Sequence, residues 1–188
     1  MSGTERGEIS IRWHGRGGQG AVTAAQVVAT CAIMKGLYAQ AFPEFGPERR
    51  GAPVRAYTRL STRPIRHREP ILSPDFLVIL DPSLLHLPAT LDGVHPGTVI
   101  VVNAPEPPKI DVKCRKIVYV DATDIAMKTI GRPIVNTAIL GALLRVLDLV
   151  TVDEILNTLG KFFSGKALEG NKKAVVEAYN AAKVVEVG

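Results

Sequence analysis

The stretch Gly15-Arg16-Gly17-Gly18-Gln19-Gly20 follows the apolar alternation Ile9-Ser10-Ile11-Arg12-Trp13 and precedes a long Ala/Val run. It reads as strand, glycine turn and helix, an order that commits the start of the chain to a layered α/β arrangement. Such turns let backbone amides approach an anion, and the helix start adds unpaired N–H groups and the positive end of its dipole. Gly15, Gly17 and Gly20 satisfy the spacing G-x-G-x-x-G of dinucleotide-binding turns. That use also needs an acid about 20 residues further on for the ribose hydroxyl. No Asp or Glu lies between Glu8 and Glu44, so the pattern argues against NAD. Two readings of the turn remain: tight chain packing, or an anion site.

The Ala/Val run from Ala21 to Ile33 is apolar almost all round, as in a helix packed between layers, and ends near Lys35-Gly36. Leu37–Phe42 predicts a second strand closed by Pro43, and Val54–Leu60 a half-exposed strand at an edge or running antiparallel. The continuous apolar runs Phe76–Leu80 and Thr98–Val102, and the shorter Ile117–Val120, predict strands covered on both faces. Asp81-Pro82 and Asp121 are helix-start signals, as is the capping-box pattern from Thr151 to Glu154. Ile134–Asp148 predicts an apolar helix, Gly165 and Gly170 bracket a loop, and a last helix aligns Ala174, Val175, Ala178, Ala181, Ala182 and Val185. The expectation is a single three-layer α/β/α domain over 1–188, Rossmann-like, with a mixed, mostly parallel sheet and a flexible lead at 1–7.

The net charge of +5 is unevenly placed: residues 1–70 hold eleven Lys/Arg against five Asp/Glu, so the excess belongs to the amino-terminal part. Within it, Arg49, Arg50, Arg55, Arg59, Arg63, Arg66 and Arg68 crowd the segment from Glu44 to Pro70. Arginine suits bidentate contacts with phosphate or carboxylate, which points to a phosphate-bearing ligand or an acidic partner surface. Nucleic acid is disfavoured, because aromatics make up only 5% of the chain and no nucleic-acid-binding motif occurs. The polar amino end and the length of the longest apolar stretch, Ile134–Leu147, predict a cytoplasmic protein without a membrane span.

Two cysteines, Cys31 and Cys114, are too few for an iron-sulfur cluster or a structural zinc. His14, His67, His86 and His95 have no metal-ligand spacing, and neither a nucleophile elbow nor a P-loop occurs. Of the four, His14 immediately precedes the glycine turn at a strand's carboxyl end, where α/β ligands bind. The expectation is that no catalytic residue and no metal site is contained in this chain.

Three segments, I-R-W-H-G-R-G-G-Q-G-A-V-T-A-A at 11–25, F-G-P-E-R-R-G-A-P-V at 45–54 and G-R-P-I-V-N-T-A-I-L-G-A-L at 131–143, resemble the gamma subunit of 2-oxoacid:ferredoxin oxidoreductases. The pyruvate and 2-oxoisovalerate enzymes are the nearest in kind. P-I-L-S-P-D-F-L-V-I-L at 70–80 and G-K-A-L-E-G-N-K-K-A at 165–174 extend the resemblance over nearly the whole chain. It implies a non-autonomous subunit of a complex that converts a 2-oxoacid and coenzyme A to acyl-CoA and carbon dioxide, with electrons passing to ferredoxin. It further implies alpha, beta and delta partner subunits that hold thiamine diphosphate with Mg and the [4Fe-4S] clusters. The family's glycine motif falls on Gly15, Gly17, Gly18, Gln19 and Gly20, with Arg16 inside it, and its loop motif on Gly46, Pro47, Glu48, Arg49, Arg50 and Gly51. Asn136 matches a further family position. On this resemblance the glycine turn and the nearby arginines form a wall for coenzyme A phosphates or for an acidic partner surface, and Asn136, near a helix start, is either a ligand or partner contact or a helix cap; Gly51-Ala52-Pro53 departs from the paired glycines of many relatives.

Overall fold

The structure is a computed structural model that describes residues 7–44 and 49–187. Its centre is a seven-stranded sheet in the order β2-β3-β1-β4-β5-β6-β7. The strands are β1 Glu8–Arg16, β2 Tyr38–Pro43, β3 Pro53–Ser61, β4 Phe76–Ile79, β5 Val99–Asn103, β6 Lys116–Val120 and β7 Lys183–Glu186. β1, β4, β5 and β6 pair in parallel, while β3 runs antiparallel to both β1 and β2, and β7 antiparallel to β6. The expected α/β class and mixed, mostly parallel sheet are therefore present. β3 is antiparallel but is no edge strand: it lies between β2 and β1, and its residues from Ala56 to Ser61 are all buried.

Five helices, α1 Ala21–Met34, α2 Ala122–Thr129, α3 Asn136–Leu143, α4 Val152–Leu159 and α5 Gly165–Ala181, all contribute to one core. That core rests on alternate residues of the strands: Ile9, Ile11 and Trp13 of β1, Val78 of β4, Val99 and Val101 of β5, Val118 and Val120 of β6. The opposite face, carrying Leu77, Ile79, Ile100 and Val102, is covered differently. Its third layer consists of short 3-10 turns, Pro82–His86 and Pro88–Thr90, and of coil bearing Ile110, Val112 and Cys114. Prolines at 82 and 88 start these turns, and prolines at 105, 107 and 108 deny donors to any longer helix.

Several boundaries differ from expectation. Gly165 and Gly170 bracket no loop: both belong to α5, and at Gly170 a Cβ would stand 2.6 Å from the Thr129 carbonyl oxygen, so glycine lets α5 close on the end of α2. Val185 lies in β7, because the chain leaves α5 at Ala182 and pairs with β6. The Ile134–Asp148 stretch gives only the short α3, every residue of which is buried. The capping box is as expected, with Thr151 N donating to Glu154 and Glu154 N to Thr151 Oγ1. The lead 1–7 lies outside the described residues except for Gly7.

One buried polar chain ties the helical layer to the sheet. Trp13 Nε1 donates to Thr58 Oγ1 at 3.0 Å, and that hydroxyl donates to the Ala25 carbonyl of α1 at 3.0 Å. Thr58 and Trp13 are fully buried, so the Trp13 N–H depends on the Thr58 hydroxyl for its partner. We predict that Thr58→Val, which keeps the volume, lowers the unfolding free energy by about 2 kcal/mol. Urea denaturation of the full chain measures this; an unchanged midpoint would show that the chain contributes nothing.

Candidate functional site at the carboxyl edge of the sheet

β1 sends its crossover through α1 on the helical face, whereas β4 continues into the 3-10 turns on the other face. The connections part between these two neighbouring strands, which makes their carboxyl ends the place where open α/β sheets bind ligands. The glycine turn, the 49–52 segment, Asp81 and the start of α3 meet there.

The turn is held from within. Gln19 N donates to the Arg16 carbonyl, and the Gln19 side chain accepts from Arg16 N at 2.7 Å. Gly17 N donates to the Ala52 carbonyl at 2.9 Å, and Gly51 N donates back to the Gly17 carbonyl at 3.2 Å, in a parallel bridge between Gly17 and Arg50. A Cβ on Gly17 would collide with the Arg49 carbonyl oxygen, so this residue must be glycine for the two segments to pair. Gly20 caps α1 with φ of 85° and presses its Cα on the Asn136 side chain. Gly15 is buried, whereas Gly18 is exposed at the tip.

Arg16 and Gln19 brace the site. Arg16 Nε lies 3.2 Å from Asp81 Oδ2, its other nitrogens reach the Gly51 carbonyl and Ser83 Oγ, and Gln19 Nε2 donates to the same Asp81 oxygen. Asp81 also caps the 3-10 turn by accepting from Ser83 N and Oγ. Burial works against its ionisation, but the bonds from Ser83 and Gln19 and the charge of Arg16 outweigh it and hold the carboxyl below its ordinary range. Asn103, buried at the end of β5, is a clamp that sequence reasoning passed over. It donates to the Leu80 carbonyl and Thr123 Oγ1 and accepts from Ala122 N, fixing the ends of β4 and α2.

The sequence-predicted residues are thus brought together: Gly15, Arg16, Gly17, Gly18, Gln19 and Gly20, with Arg49, Arg50, Gly51 and Asn136 around them. Gly46, Pro47 and Glu48 lie outside the described residues. Arg49 and Arg50 are exposed, and among the described residues neither side chain has a hydrogen-bond or ion-pair partner. Asn136 is the first residue of α3 and not its cap, which is Val135.

Residues of β1 and β3 on the sheet face away from the helices form a second polar group. Arg12 is 2% exposed and His14 3%, although strand alternation sets them opposite the apolar face of Ile11 and Trp13. Arg12 Nε donates to His14 Nε2 at 2.9 Å, and its terminal nitrogens donate to the carbonyls of Ile71, Leu72, Thr90 and Asp92. Burial, and then the charges of Arg12 and Arg55, push the His14 pKa down to about 3. The signal that could have found the pair is the spacing of two, which puts both side chains on one strand face.

Cys31 belongs to the helical core and Cys114 to the core of the opposite face, so the sheet separates them and they cannot share a cluster. Among the described residues no group of His, Cys, Asp and Glu is arranged to hold a metal ion. No described helix is long and apolar enough to cross a membrane.

Fold and edge together define an α/β domain that presents a glycine turn and an arginine segment at a topological switch point. A family model described as pyruvate ferredoxin/flavodoxin oxidoreductase matches residues 10–181. The chain is 46% identical over 184 residues to the pyruvate/ketoisovalerate oxidoreductases common subunit gamma of Pyrococcus abyssi, covering 95% of this chain and 100% of that one. It is 45% identical over 180 residues to the pyruvate synthase subunit PorC of Methanothermobacter thermautotrophicus, with 95% and 98% covered. The crystal structure of pyruvate oxidoreductase subunit PORC from Thermotoga maritima matches with a TM-score of 0.85 at 39% identity, over 95% of this chain and 99% of that one. The chain belongs to the pyruvate ferredoxin/flavodoxin oxidoreductase family, among its gamma-type subunits. It is an oxidoreductase subunit of the non-autonomous kind.

The depressed His14 pKa carries a pH prediction. An unfolded histidine titrates near its ordinary value of 6.5 and the folded one near 3, so between these values the unfolded chain binds the extra proton. Stability is therefore lost as pH falls from 6.5 toward about 3, by up to about 1.4 kcal/mol per pH unit. Urea denaturation between pH 6.5 and about 5 should show this slope in the native chain and a flatter one in His14→Gln. Equal slopes would mean that other groups dominate acid sensitivity.

Proposed function

We propose that this chain is the gamma subunit, one domain over 1–188, of a 2-oxoacid:ferredoxin oxidoreductase whose favoured substrate is pyruvate. The complex carries out coenzyme A-dependent oxidative decarboxylation to acyl-CoA, with ferredoxin as electron acceptor, in the cytoplasm. Its partners are alpha, beta and delta subunits. Thiamine diphosphate with Mg, held by those partners, supplies the carbanion stabilisation that decarboxylation needs, and their [4Fe-4S] clusters carry the electrons. The observation that carries this reading is the match along almost the whole length to gamma and PorC chains of pyruvate enzymes.

In this reading the gamma chain packs beside the thiamine diphosphate site and turns its carboxyl edge toward a coenzyme A phosphate. Several features support that use. Gly18 is exposed at the tip of the turn, α1 begins there with its dipole's positive end outward, and Arg49 and Arg50 are exposed beside it. Arg16 and Gln19 are already committed to Asp81, so they hold the turn in shape and leave the contact to backbone N–H groups and the two exposed arginines. No proton transfer or bond cleavage falls to this chain's side chains.

A second reading rests on the same exposure: Arg49 and Arg50 pair with carboxylates of a partner subunit. The assembled complex carrying Arg49→Gln and Arg50→Gln together separates the two. Loss of a phosphate contact should raise the KM for coenzyme A about tenfold, leaving the KM for the 2-oxoacid and complex assembly unchanged. An unchanged KM with subunits that part at lower salt would favour the partner surface. Oxidoreductase activity of the purified chain by itself would overturn both.

A further inference from the structure

A cavity of about 280 Å³ lies on the sheet face away from the α-helices, between β1, β3 and the 3-10 turns. Its polar lining is His14, Arg55, Glu44 and Thr90; its apolar lining includes Val54, Leu84 and Leu87. His14 and Arg55 are direct cross-strand partners, so the β1–β3 register sets the two side by side. None of Gly17, Gly18, Gly20, Arg49 and Arg50 lines it, and its occupancy is independent of the function proposed for the carboxyl edge.

The bond from Arg12 fixes the chemistry of His14. Because Nε2 accepts a hydrogen bond from the guanidinium, the neutral ring carries its proton on Nδ1. Among the described residues Nδ1 has no partner, so a buried imidazole that lines the cavity keeps one N–H to offer. Arg12 itself donates all its bonds to His14 and to backbone carbonyls. Its charge is solvated by dipoles but touches no carboxylate among the described residues.

Charge and size then select the ligand. Among the described lining residues the donors are the neutral His14 N–H and the Arg55 guanidinium, with Glu44 as the one carboxylate, while Arg12 stands behind His14 within reach of Asp92 as well as Glu44. An anion with a short apolar tail uses both the two donors and the apolar wall, whereas inorganic phosphate leaves Val54, Leu84 and Leu87 without a partner. Arg55 is held loosely, its Nε 3.7 Å from Glu44 Oε2 and its Nη2 3.4 Å from the Ala89 carbonyl. Glu44 has a second partner in the Tyr57 hydroxyl, which donates to it at 3.3 Å, and can retain that bond while releasing Arg55. The volume is at or below the low end for small-molecule sites, about 300 Å³, which excludes a nucleotide. We propose that this cavity binds a short-chain monocarboxylate, with the carboxylate on His14 Nδ1–H and Arg55 and the alkyl tail against Val54, Leu84 and Leu87.

The test is imidazole ¹⁵N NMR of the full chain labelled at histidine, titrated near neutral pH with butyrate, acetate, inorganic phosphate and sodium chloride. The His14 signals should shift saturably with butyrate, more weakly with acetate, and not with chloride at equal ionic strength. His67, His86 and His95 serve as internal references. Arg55→Gln should weaken butyrate binding by about tenfold. Leu87→Trp, at a position already 40% exposed, should fill the cavity and abolish the shift without threatening the fold. No saturable shift with any carboxylate, a shift that survives Leu87→Trp, or tighter binding of phosphate would each overturn the proposal.

Discussion

The burial of Arg12 is the constraint on which the rest of the sheet's second face depends. A guanidinium taken out of water must find acceptors for all its N–H groups, and this one recruits them from β1 itself and from two distant segments, 71–72 and 90–92. Those segments are thereby pinned against β1 on the face away from the α-helices. With Ile71 drawn in, Phe42 and Tyr57 gain an apolar neighbour, and their rings pack at 5.2 Å. The glycine turn leaves the end of this doubly buried strand, so its position is inherited from packing on both faces.

The carboxyl edge follows a different logic. Its polar groups are spent largely on each other: Arg16, Gln19, Asp81, Ser83 and the 51–52 backbone form one network. Such a network makes the turn rigid at the cost of most of its binding capacity. What it leaves outward is the tip and the two arginines, which is why the proposed contact with an anion falls to them. This accords with membership of a family whose gamma-type relatives are named as subunits.

Much of this was legible from local patterns. The strand, turn and helix around Gly15–Gly20 follow from spacing alone, and the capping box of α4 from Thr151 and Glu154. The elements that escaped depend on remote partners. Val185 reads as helical until β6 supplies an edge for it, and Gly170 reads as a loop until the Thr129 carbonyl is seen against it. Arg12 and Arg59 look like surface charges on alternating strands, yet both are buried because carbonyls and Glu8 from elsewhere in the chain receive them. Among the candidate residues, Asn136 was singled out by family resemblance alone, and its contact with Gly20 was not legible because nothing local links positions so far apart in sequence.

The central claim is that this chain works only as part of a larger oxidoreductase. Affinity purification of the tagged chain from its native cells, under anaerobic conditions, with identification of the copurifying chains and assay for thiamine diphosphate and iron, tests it most directly. Stoichiometric larger partners that carry both groups are expected, with 2-oxoacid-dependent reduction of ferredoxin by the purified assembly. Recovery of the chain alone, with that activity remaining in a fraction that lacks it, would contradict its role as a subunit.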